Sequence, residues 1–180
     1  MLLILLANGF EDAEAIVTYD VLMRGGASPR LISAESSCEV ISARGISVTA
    51  DYTIERVRPE RGDTIVIPGG GKGVAGLLSN RHALELIAEE HRKGANLAAI
   101  CAGPTVLARL GLLDGKNATC YPGCEPDMGA AVCHPELSVC RDGNIITARA
   151  AGSSFDFGLA VLEMLKGKQA AEKVRADLVY

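Results

Sequence analysis

Residues 96–110 read Asn96-Leu97-Ala98-Ala99-Ile100-Cys101-Ala102-Gly103-Pro104-Thr105-Val106-Leu107-Ala108-Arg109-Leu110. The first five form a short apolar run, the pattern of a strand covered on both faces. From Gly103 the spacing turns helical, and Pro104 suits a first helical turn, where no N–H donor is lost. A strand must therefore bend sharply into a helix at Cys101. In such an elbow the residues two before and two after the turning residue must be small, and here they are Ala99 and Gly103. A buried strand running straight into a helix is the repeating unit of a parallel sheet flanked by helices.

The same unit recurs on either side. Leu2 to Leu6 is another unbroken apolar run, followed by helical spacing from Glu11 to Met23 and a stop at Gly25-Gly26. Ser28 to Ser33 reads as a strand, and Ile41 to Asp51 as a strand or hairpin arm. Thr64 to Ile67 is a buried strand stopped by Pro68-Gly69-Gly70-Gly71. His82 to Arg92 is helical. Ser138 to Cys140 and Ile145 to Ala148 flank Arg141-Asp142-Gly143-Asn144, a hairpin turn. Ser153 to Leu165 is the last long helix. Strands alternating with helices predict one α/β domain over residues 1–180, a mostly parallel sheet with helices on both faces. In such sheets chemistry gathers beyond the carboxyl ends of the strands. Asn8 to Glu14, Pro68 to Gly71 and Cys101 to Pro104 should converge there.

The 180 residues suffice for one domain with a core. Aromatics are 4% with no Trp, so that core must be Val, Ile, Leu and Ala. A net charge of −4 supplies no phosphate-binding field, so nucleic acid is not expected as a partner. The first apolar run is too short to span a bilayer and lacks a basic flank. A first strand, no membrane and a cytoplasmic location are the expectation, and the six cysteines then read as free thiols.

At the elbow, Cys101 would project at a helix N-terminus, where free N–H groups and the dipole favour a thiolate. The competing reading is a small buried cysteine, a common core residue. Gly70 and Ala102 can offer backbone N–H groups as an oxyanion hole. Glu11 and Asp12 read as ordinary helix caps. Glu14 is the odd carboxyl: buried beside a thiolate it would be kept protonated and could donate to the sulfur. Cys120 and Cys124 with Cys133-His134 invite a zinc reading, but the spacing is irregular and no metal is expected. The surplus of apolar side chains on the first helix (Ile16, Val17, Tyr19, Val21, Leu22, Met23) calls for a partner subunit.

Four ordered blocks resemble the ThiJ/PfpI superfamily, nearest the parkinsonism-associated deglycase branch and its bacterial relatives. They are Ala7-Asn8-Gly9-Phe10-Glu11-Asp12-Ala13-Glu14, Ile67-Pro68-Gly69-Gly70, Ala98 to Pro104, and Gly152-Ser153-Ser154-Phe155-Asp156-Phe157. The resemblance runs end to end. It implies a flavodoxin-like sandwich, a homodimer and no cofactor. It implies Cys101 as oxidisable nucleophile, Glu14 as its protonated partner, and Gly70 and Ala102 as donors. Arg44 corresponds to a dimer-related arginine near the site, and Arg149 to a structural one. Gly71 and Tyr121 are expected to border the substrate. The activities implied are conversion of methylglyoxal to lactate and repair of early glycation adducts. The alternative is a peroxide sensor or chaperone that works through a Cys101 sulfinic acid. Two positions depart from the pattern. Tyr121-Pro122 stands where that branch often has His-Pro, so no Cys–His pair is available. Ala150-Ala151-Gly152 replaces a Gly-Pro-Gly motif. Ala102 also stands where the protease branch has a histidine, which argues against a peptidase.

Overall fold

The structure is a computed structural model and describes residues 1–58 and 62–180. In chain order the elements are β1 (Leu2–Leu6), α1 (Asp12–Arg24), β2 (Arg30–Ser33), β3 (Glu39–Ile41), β4 (Ser47–Thr49), β5 (Tyr52–Thr53) and β6 (Thr64–Ile67). Next come α2 (Gly71–Ser79), α3 (Arg81–Arg92), β7 (Asn96–Ile100), α4 (Pro104–Arg109), β8 (Asn117–Ala118) and β9 (Val132–Cys133). The chain finishes with β10 (Val139–Asp142), β11 (Ile145–Ala148), α5 (Ser154–Lys166) and α6 (Lys168–Asp177).

Seven strands form the main sheet in the order β10-β11-β7-β6-β1-β2-β5. All pairings are parallel except the β10–β11 hairpin. Alternate residues of β1 face opposite layers, as strand geometry requires. Leu3 and Leu5 pack towards α2, α3 and α4, while Leu2, Ile4 and Leu6 pack towards α1 and α5. Both layers are aliphatic. The expected α/β sandwich is therefore what the chain forms. β2 lies on one side of β1 and β6 on the other, so the order reverses between β1 and β6, and a crevice opens at such a switch point.

Several elements escape the sequence reading. α2 starts at Gly71, contains Gly73 and Gly76 and has no side-chain cap; burial of Val74 and Leu77 holds it, against its poor intrinsic propensity. α6 buries only Ala171 and Val174. The strand expected from Ser28 starts at Arg30, after Pro29. The β10–β11 turn tightens to Gly143-Asn144, with Gly143 at φ 61°. Ile41 to Asp51 resolves into the β3–β4 hairpin.

Candidate active site

The elbow is built as the spacing predicts, and it is strained. Cys101 has φ 63°, in the left-handed region that a residue with a Cβ enters at a cost of about 1–2 kcal/mol. Hydrogen bonds on every side hold it there. The Cys101 N–H donates to Ala148 O at 2.9 Å, and Tyr121 N–H donates to Cys101 O at 2.9 Å. Gly103 N–H donates to Ile100 O at 2.8 Å, and Thr105 Oγ1 donates to Ala102 O at 2.7 Å. A Cβ on Gly103 would come within 2.5 Å of Ile67 O, which explains the small residue two beyond the turn.

Glu14 lies one turn into α1 and is 0% exposed. Glu11 caps that helix, accepting from Glu14 N–H at 2.9 Å, so the capping reading holds for Glu11. Asp12 instead accepts from Ser42 Oγ at 2.5 Å and ties the β3–β4 hairpin to the site's first loop. Glu14 Oε2 accepts from Gly69 N–H at 2.7 Å. Its other oxygen is buried with no nitrogen or oxygen partner among the described residues. The group that pairs with this carboxyl is the Cys101 thiol. The N–H groups of Ala102 and Gly70 are aimed at the same sulfur.

Gly69 is the residue that sequence reasoning missed. A Cβ there would sit 2.7 Å from Cys101 Cβ, 2.7 Å from Glu14 Oε2 and 3.1 Å from Ala102 N. Thiol, carboxyl and amide converge on this one glycine. Gly70, at φ 90°, is equally confined: a Cβ would meet Gly9 O at 2.3 Å. The run Pro68-Gly69-Gly70 was the available signal, but it did not say which glycine packs between Cys101 and Glu14.

The electrostatics correct one expectation. A thiol lowered by a helix N-terminus was expected. The helix after the elbow is only six residues long and starts three residues beyond Cys101. Burial pushes the thiol up to about 12, and the Glu14 carboxylate adds to that, while the Ala102 and Gly70 donors pull it partly back. Burial also pushes the Glu14 carboxyl up to about 7, against hydrogen bonds from Cys101 and Gly69. The two groups touch and titrate as a coupled pair, the carboxyl before the thiol.

The other residues singled out in the sequence lie in exposed positions. Gly71, the first residue of α2, is exposed with nothing within 4 Å of its Cβ position. The Tyr121 side chain is 49% exposed while its N–H is pinned to the nucleophile's carbonyl. Arg44 is exposed at the tip of the β3–β4 hairpin, which docks on the loop after β1 through Gly9 N–H to Ile41 O and Ala43 N–H to Phe10 O. Arg149 is exposed beyond β11. Among the described residues no cluster of three or more His, Cys, Asp or Glu could hold a metal ion, and His134 is engaged instead with Asn117 Oδ1 at 2.8 Å. No helix among them is long and apolar enough to cross a membrane.

Comparisons with known proteins bear on the family and the fold. A profile of the DJ-1/PfpI family matches residues 1–164. Protein dj-1beta of Drosophila melanogaster is 32% identical over 178 residues, spanning 98% of this chain and 95% of that protein. Deglycase PH1704 of Pyrococcus horikoshii is 33% identical over 165 residues, 91% and 98% of the two chains. The structure of oxidised Toxoplasma gondii DJ-1 superposes with a TM-score of 0.94 at 34% identity, covering 99% of this chain and 97% of that one. Matched over most of its length and more than 30% identical to full-length relatives, the chain belongs to the DJ-1/PfpI family.

Proposed function

We propose that this protein is a cysteine-dependent, cofactor-free glyoxalase or deglycase acting on methylglyoxal-type oxoaldehydes or early glycation adducts. The observation that carries the reading is the contact between the Cys101 thiol and the fully buried Glu14 carboxyl, with the Ala102 and Gly70 N–H groups at the same sulfur. A lone buried thiol pushed up to about 12 would be inert. With a carboxylate as its partner, its proton passes to Glu14 as the sulfur bonds to the aldehyde carbon. Net charge in the buried site does not change. The carbonyl oxygen becomes an alkoxide, met by the Ala102 and Gly70 N–H groups. Glu14 then returns the proton to that oxygen, completing a hemithioacetal. Tyr121, Gly71 and Arg44 border the approach, Arg44 from the partner in a homodimer. The name of the Pyrococcus relative supports this class of activity.

The second reading is a peroxide sensor in which Cys101 gains two oxygens as a sulfinic acid and protonated Glu14 donates to one of them. The half-buried position of Cys101 and the solved oxidised form of the Toxoplasma relative favour it. One assay separates the two. Purified protein is given methylglyoxal, and lactate is followed for wild type and Cys101→Ser. Turnover by wild type, lost by about 100-fold or more in the variant, is the expected result. No turnover by wild type, or equal turnover by both, would overturn the enzymatic reading.

A further inference from the structure

Cys120 and Cys133 lie outside the catalytic pair. β8 and β9 run parallel with Ala118 opposite Cys133, and His134 N–H donates to Ala118 O at 2.8 Å. Side chains alternate along an extended chain, so Cys120, two residues past Ala118, projects to the same face as Ala118 and Cys133. Diagonal neighbours on one face are within side-chain reach. The two thiols do meet, Cys120 donating to the Cys133 sulfur. Cys124 is near enough for its charge to be felt, but the donor–acceptor contact is with Cys133. Cys120 is 3% exposed in the core and Cys133 is half-buried at its edge. Both are free thiols.

We propose that Cys120 and Cys133 are a redox-active dithiol that a hydroperoxide closes into an intramolecular disulfide, a second redox site separate from Cys101. Cys133 reacts first, because it is the more exposed of the two. Its sulfur loses a proton and bonds to one peroxide oxygen; the O–O bond breaks and an alcohol or water leaves. The Cys133 sulfenic acid is then attacked by the Cys120 sulfur. The S–O bond breaks, and water leaves with the Cys120 proton. Two thiols lose two hydrogens and two electrons, and the peroxide is reduced. Exchange with an external dithiol reverses the reaction, which a sulfinate at Cys101 does not allow.

The test uses the full chain carrying Cys101→Ser, so that its outcome is independent of the catalytic proposal. After limited hydrogen peroxide and blocking of free thiols, trypsin releases residues 117–141, which hold Cys120, Cys124, Cys133 and Cys140 with no internal Lys or Arg. The expected peptide has lost two hydrogens and is alkylated only at Cys124 and Cys140. Cleavage after Asp127 leaves the pieces that hold Cys120 and Cys133 joined until a dithiol is added. Cys133→Ser abolishes the crosslink, and Cys124→Ser leaves it intact. Full alkylation of all four thiols, a crosslink through Cys124 or Cys140, or oxygen addition without a crosslink would overturn the proposal.

Discussion

The elbow at Cys101 and the strand pair at Cys120 and Cys133 each bury a thiol, and burial pushes Cys101 and Cys120 alike to about 12. Their partners differ. Cys101 faces a carboxyl and two backbone N–H groups, whereas Cys120 faces a second thiol. A carboxyl partner can take a proton and return it, so the first site suits addition chemistry. A thiol partner can form a covalent bond, so the second suits two-electron oxidation. Burial alone therefore says little about what a cysteine does; the neighbouring group decides.

The sharpest way to break this contrast is to exchange the cysteines one at a time. Cys101→Ser is expected to lower aldehyde turnover by about 100-fold or more, while Cys133→Ser leaves it within about twofold. Equal losses would mean that the two regions work as one. Steric crowding gives the next largest effect. Gly69→Ala places a methyl 2.7 Å from both Cys101 Cβ and Glu14 Oε2, so activity should fall by about tenfold or more and stability by about 1–3 kcal/mol. Gly152→Ala, at an open position that the mechanism does not use, should leave both nearly unchanged. Kinetics and denaturant melts of the two variants check this.

The raised Glu14 carboxyl also has a stability signature. A carboxyl at about 7 when folded and 4.5 as reference binds its proton more tightly in the native state. Its contribution is fully present below pH 4.5 and is lost as pH rises through about 7, a change of about 3 kcal/mol. Denaturation of wild type minus Glu14→Gln at pH 5 and pH 8 should show that difference; a pH-independent difference would place the carboxyl in water. The smallest expected effect concerns assembly. Of the apolar side chains on α1, Val21 and Leu22 are fully buried within the chain against α5, and Ile16 (43% exposed) and Met23 (46%) remain to cover a partner. A homodimer through this face should weaken on Ile16→Asp in sedimentation; a monomeric wild type at micromolar concentration would remove it.

Most of the elbow was legible because its constraints are local. A strand turning into a helix demands small residues at Ala99 and Gly103, and Pro104 marks the helix start. Glu14 was legible as a carboxyl in excess of capping needs. What stayed hidden depends on distant packing. Gly69 packs against Cys101 Cβ and the Glu14 carboxyl only once β1, β6 and β7 lie side by side. The direction of the thiol's shift stayed hidden because burial and the Glu14 carboxylate, which push it up, come from the packed structure, whereas the sequence showed only a helix start. The Cys120–Cys133 contact rests on the register of two-residue strands, which carry no periodic signal. α2 was missed because three glycines in nine residues argue against a helix that the core nonetheless supports.

The central claim, that Cys101 and Glu14 react as a pair, is tested most directly by the pH profile of kcat/KM for methylglyoxal. Wild type should rise through a single ionisation near 7, where the Glu14 carboxyl loses its proton, and then level off. Glu14→Gln should lose that rise and run about 100-fold or more slower at pH 8. A wild-type profile that climbs only towards pH 12, or a limb near 7 that survives in Glu14→Gln, would contradict the account.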